Sequence, residues 1–171
     1  MKPTGKRRAG REFAVQCLFQ LDHNSTPFEE ALPRILAFKK DDGSSLAPSG
    51  KACEFAEQLI RGVLGRQKEI DARIRSAAQN FQLDRIGGVE RAILRLAIYE
   101  MTNSLDVPPV VIINEALEIA KRYAAEDAAK FVNGVLDRIH HTLQRPSRTP
   151  AGPRPATETA NAATTPPQRP D

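Results

Sequence analysis

Residues 107–139 read VPPVVIINEALEIAKRYAAEDAAKFVNGVLDRI, and their spacing decides the fold. Pro108 and Pro109 suit the start of a helix, where a missing amide hydrogen costs nothing. Apolar residues then recur at Ile112, Ile113, Ala116, Leu117, Ala120 and Tyr123, one continuous stripe of helical period. A second stripe runs through Ala128, Phe131, Val132, Val135, Leu136 and Ile139. Glu126 and Asp127 stand in its first turn, where carboxylates suit the positive end of the helix dipole. The spacing predicts two helices packed as an antiparallel pair around a sharp corner. Asn133-Gly134 falls inside the second stripe, where glycine costs roughly 1 kcal/mol against alanine; close helix contact is the expected compensation.

Working outward, 89–101 (VERAILRLAIYEM) is apolar on most sides and reads as the most enclosed helix, with Glu90, Arg91, Arg95 and Glu100 as a polar strip. Ala14, Cys17, Leu18 and Leu21 mark a helix following Arg11. Thr26 and Glu29 have capping-box spacing with Pro27 between them, and Pro33 should kink or split the short helix they start. Residues 39–50 are a polar loop. The apolar pattern from Ala52 to Phe81 changes register near Gly65, which favours a kinked pair of helices over one rod. No run has the two-residue period of a strand. The fold class is therefore all-α, a bundle of about seven helical segments over residues 1–143. Residues 146–171 hold seven prolines and no Val, Ile, Leu, Met or aromatic residue, so 144–171 is expected to be a disordered tail.

The chain has 171 residues, is 40% apolar and carries a net charge of +4, compatible with one core and with a polyanionic partner. Cys17 and Cys53 fall on apolar faces and read as core filling. No apolar run is long enough for a membrane span and no signal-type segment opens the chain, so a cytoplasmic protein without a membrane partner is expected. Lys2, Lys6, Arg7, Arg8 and Arg11 crowd the first eleven residues with no acid among them. They suit a nucleic-acid arm, and equally a solvated basic terminus.

No constellation for catalysis stands out. There is no glycine-rich phosphate loop, nucleophile elbow or zinc helix motif. His140 and His141 are adjacent and cannot face one ligand from a helix, and Glu115 and Glu118 read as a solvated strip. No enzyme activity, cofactor or metal is expected.

Four blocks resemble the bacterial transcription antitermination factor NusB family: RRAGREFAVQCLF (7–19), VERAILRLAIYEM (89–101), DVPPVVIINEALEIAKRY (106–123) and AEDAAKFVNGVLDRI (125–139). The resemblance covers residues 1–143 and implies two three-helix bundles sharing a central helix. It also implies a binding function without turnover: holding single-stranded box A RNA of nascent ribosomal transcripts in a heterodimer with ribosomal protein NusE, within the RNA polymerase antitermination complex. Carried onto this chain, the RNA contacts would be Lys2, Lys6, Arg7, Arg8, Arg11, Gln16, Asp127, Lys130, Phe131 and Asn133. Phe131 would either stack a base or fill the core, as its stripe suggests. The NusE face would be Glu90, Tyr99, Glu100 and Val107. Three departures stand out. Gly10 reads as an insertion in the arginine motif, Phe19 replaces a frequent tyrosine, and Ala124 replaces the glycine after the corner aromatic, pointing to a differently built corner. Two rivals are weighed. Ribosomal RNA cytosine methyltransferases carry a similar N-terminal domain, but residues 144–171 cannot supply the cofactor domain they need. A protein-binding bundle that forms homodimers stays open.

Overall fold

A computed structural model describes residues 5–24, 26–37, 47–78, 82–125 and 127–143. Among them are seven α-helices: α1 (Lys6–His23), α2 (Phe28–Ala37), α3 (Lys51–Gly65), α4 (Gln67–Ala77), α5 (Gly88–Asn103), α6 (Pro109–Tyr123) and α7 (Ala128–Thr142), with one 3-10 turn at Leu83–Arg85 and no strand. Lys2, the interior of the 39–50 loop and the proposed tail lie outside the described residues.

α5 is the axis. It packs against α1, α3, α4, α6 and α7, while α2 leans on α1. Its segment from Ala92 to Ile98 is buried without a break, because neighbours surround it. The stripes read from spacing form the core: Ile60, Ile74, Ile93, Leu94, Ile98, Ile112 and Leu136 are each no more than 2% exposed. α3 and α4 are two helices meeting at Gly65–Arg66, as the register shift requires.

Several local expectations change. α1 begins at Lys6, five residues before Arg11, so Lys6, Arg7 and Arg8 form its first turn rather than a preceding arm. Gly10 lies within the helix. It is buried in α1 where that helix crosses α3, and a Cβ there would meet the Ala52 carbonyl oxygen at 2.8 Å. Gly134 is the reverse case: it is exposed on α7, with nothing within 4 Å of the place a Cβ would take, so no close helix contact offsets it. α2 runs through Pro33 as one helix, the exposed ring facing solvent, and Glu29 pairs with Arg61 of α3 instead of completing a capping box. Ala124 is extended (φ −114°, ψ 177°), so its own position needs no left-handed residue and no glycine.

Candidate nucleic-acid interface

α1 carries most of the charges that matter, and the core sorts them. Its first turn holds Lys6, Arg7 and Arg8 and no acid. Three cations at the positive end of a helix dipole oppose one another and the dipole alike. Lys6 and Arg7 are exposed, and no ion pair among the described residues engages their charge.

The other α1 charges are bound into the protein. Arg11 is 5% exposed and forks onto Glu100, itself 2% exposed, with Nε and Nη2 each donating at 2.8 Å. The Arg11 guanidinium also lies 5.6 Å over the Phe55 ring. Arg11 is thus a cross-link from α1 to α5, and Glu100 is not at the surface where a protein partner would meet it. Arg8 donates from Nε to Glu115 of α6 at 2.9 Å, and Arg11 Nη1 lies 3.8 Å from the same carboxylate. The hydrogen bonds from Arg8 outweigh burial and hold the Glu115 carboxyl below the usual carboxylate range. Glu115 is therefore a paired residue, not part of a solvated strip; Glu118 is exposed and pairs with Lys121. One turn along α1, Glu12 accepts from Arg122 Nη1 at 3.0 and 3.2 Å and from the Tyr123 hydroxyl at 3.2 Å.

A second network ties the opposite end of α1. Arg95 donates to Asp71 at 2.8 and 3.0 Å and to Asp22 at 2.7 Å. Arg91 reaches Asp22 and the carbonyls of Leu83 and Ile86. Burial pushes the Asp22 carboxyl up, but the Arg95 and Arg91 guanidiniums outweigh it and leave it low. The strip of α5 expected at the surface is thus largely internal: Arg95 and Glu100 are buried, and Arg91 is spent on Asp22.

The remaining candidate residues divide between surface and core. Arg122 and Tyr123 pin the end of α6 to α1, and α7 starts at Ala128, so the first turn of α7 follows directly from that tether. Asp127 and Lys130 pair at 3.1 Å and are each 87% exposed; Asn133 is exposed. Phe131 is half-buried against the core, and Gln16 is half-buried one turn beyond Glu12 on α1. Among the partner-face candidates, Val107 is buried, Tyr99 lies where a side chain on Gly62 of α3 would be, and Glu90 folds back over Gly87. The exposed apolar residues of the proline corner are instead Leu105 (77%), Val110 (61%) and Val111 (43%).

The sequence contained the signal for the buried charges. Arg11, Ala14, Val15 and Leu18 share one helical stripe, as do Ile93, Leu96, Ala97 and Glu100. A charge on an apolar stripe points to a buried pair. Among the described residues, no buried side-chain nitrogen or oxygen lacks a hydrogen-bond partner, and no group of three His, Cys, Asp or Glu is placed to hold a metal ion. None of the described helices is long and apolar enough to cross a membrane. Burial pushes the Cys17 thiol up to about 12, which leaves it inert core filling.

Comparison with known proteins places this arrangement. The transcription antitermination protein NusB of Bacillus velezensis is 46% identical over 139 residues, covering 81% of this chain and 98% of that protein. A structure of NusB from T. maritima superposes with a TM-score of 0.67 at 38% identity, covering 82% of this chain and 93% of that one. A chain in a crystal structure of antitermination factors NusB and NusE in complex with dsRNA gives 0.65 at 29%, covering 80% and 97%. The NusB family model matches residues 8–141, from the arginine turn of α1 to the end of α7, and with the helices wound around α5 as described, the chain belongs to the NusB family.

Proposed function

We propose that this chain is a transcription antitermination factor that binds single-stranded box A RNA of nascent ribosomal transcripts together with ribosomal protein NusE, and that it acts by binding alone. The observation that carries the reading is the first turn of α1. Lys6 and Arg7 are exposed at a helix end that already attracts anions, and no acid of that turn offsets them. A polyanion turns that local cost into affinity, through counterion release. The surface extends along α1 to Gln16 and, past the α6 tether, to Lys130 and Asn133. Arg8 takes part from its pair with Glu115, whereas Arg11 acts through the fold. The antitermination name of the B. velezensis relative supports the role, and the NusB–NusE–dsRNA complex supports RNA and NusE as the classes of partner. For NusE, we take the proline corner with its exposed Leu105, Val110 and Val111 as the docking face; of the α5 candidates, Tyr99 lies toward that end of the helix and Glu90 at the other.

The test is Lys6→Ala with Arg7→Ala in one chain, followed by titration of a box A RNA oligonucleotide across salt concentrations. Loss of two phosphate contacts lowers the slope of log affinity against log salt by roughly 1.4, at about 0.7 per contact for single strands. An unchanged slope with unchanged affinity contradicts the assignment.

A further inference from the structure

The seam between α1 and α6 has an order of charges that structural pairing alone does not require. Arg8 and Glu12 are four apart on α1, hence neighbours on one face. Glu115 and Arg122 are seven apart on α6 and meet them in the opposite order, so that each arginine faces a carboxylate across the seam. The arginines are the outer members: the Arg8 and Arg122 side chains are 38% and 44% exposed, against 18% and 14% for Glu115 and Glu12. Each pair cancels its own charge, which leaves Lys6 and Arg7 as the uncompensated cations of the first turn.

Each carboxylate also has a second partner behind the first. Glu115 lies 3.8 Å from the buried Arg11. Glu12 accepts from the Tyr123 hydroxyl. Withdrawal of Arg8 therefore leaves Glu115 in an ion pair with Arg11, and withdrawal of Arg122 leaves Glu12 hydrogen-bonded to Tyr123. A guanidinium binds phosphate in the same forked geometry as carboxylate, so each arginine keeps its hydrogen bonds through the exchange while the displaced carboxylate keeps a second charged or polar neighbour.

We propose that Arg8 and Arg122 are latent phosphate sites: Glu115 and Glu12 occupy them in the free protein, and phosphates of a bound RNA displace these carboxylates. Glu115 then keeps Arg11 and Glu12 keeps Tyr123. The masking suppresses binding of the seam to polyanions that reach only one arginine, since an isolated phosphate must compete with a carboxylate already in place. An RNA anchored at Lys6 and Arg7 brings its further phosphates at high effective concentration and completes the exchange. This inference rests on the RNA-binding reading above.

The experiment uses the full chain with Glu115→Gln, Glu12→Gln and, as a through-space control, Glu118→Gln, whose carboxylate pairs with Lys121 instead. Binding of a labelled box A RNA is measured across salt for each, with urea midpoints as a check on folding. Glu115→Gln and Glu12→Gln should each raise affinity roughly two- to fivefold, the range of a partly exposed ion pair. Glu118→Gln should change it less. In an Arg8→Ala background the gain from Glu115→Gln should disappear, and likewise that from Glu12→Gln with Arg122→Ala. A loss of affinity in a folded Glu→Gln variant, or equal gains in all three, overturns the masking. If Lys6→Ala/Arg7→Ala weakens binding while the glutamine variants do nothing, this inference fails and the RNA-binding reading stands. If neither set alters binding, both fall.

Discussion

Arg7 and Arg11 sit one helical turn apart, yet only Arg11 is built into the fold. Arg7 is exposed; Arg11 is enclosed by α5 and α3 and paired with Glu100. Removing one member of a buried charge pair leaves the other uncompensated, at a cost of about 3–5 kcal/mol. Arg11→Ala and Glu100→Ala should therefore each lower the urea midpoint strongly, while Arg7→Ala stays within about 0.5 kcal/mol of the parent and loses RNA affinity. Equal stability of Arg7→Ala and Arg11→Ala would contradict the sorting. Sequence reading grouped the two because both belong to one basic cluster. What separates them is the apolar stripe that Arg11 shares with Ala14 and Leu18, a period set by the fold rather than by charge.

Helix elements were legible where periodicity is strong. The α6–α7 stripes, the enclosure of α5 and the break at Gly65 all follow from spacing, because burial needs one continuous apolar face. Glycine roles were not legible, since they depend on what lies opposite. Gly10 and Gly134 both sit inside helices, but only Gly10 has a neighbouring backbone against it. Gly134→Ala should raise stability by about 0.5–1 kcal/mol, the ordinary helix gain. Gly10→Ala should cost about 1–3 kcal/mol, because the Ala52 carbonyl cannot move without moving α3. Thermal melts of the two variants shifting in the same direction would refute this contrast. At the proline corner, two valines and a leucine stand exposed where Val107 was expected; a single stripe cannot reveal which residues of a turn face outward. Val110→Asp should weaken NusE binding at least tenfold in a pull-down titration and leave the isolated fold intact, since its side chain touches no core. Unaltered NusE affinity would move the docking face elsewhere.

Across the whole molecule, two ionic networks join the halves around α5. Asp22, Asp71, Arg91 and Arg95 tie α1 and α4 to it, and Arg8, Arg11, Glu100 and Glu115 tie α1 and α6. Asp22 and Glu115 are held low in the folded state, so the unfolded chain binds their protons more readily. Their contribution is complete above the ordinary carboxylate values of about 4 and is lost as pH falls below that through the depressed folded values. Stability should decline on acidification from roughly pH 5 downwards, with a smaller decline in Asp22→Asn, which lacks one of the two groups; equal acid sensitivity in parent and variant would contradict it. The same networks hold α1 along α6, with Arg8 against Glu115 and Glu12 against Arg122 and Tyr123 at the end of α6, and the function proposed for this surface is RNA binding jointly with NusE. The most direct measurement is fluorescence anisotropy of labelled box A RNA and a scrambled RNA of equal length, with and without NusE, at near-physiological salt. The expected result is a preference for box A that strengthens when NusE is added. Equal affinity for both RNAs, unchanged by NusE, would contradict it.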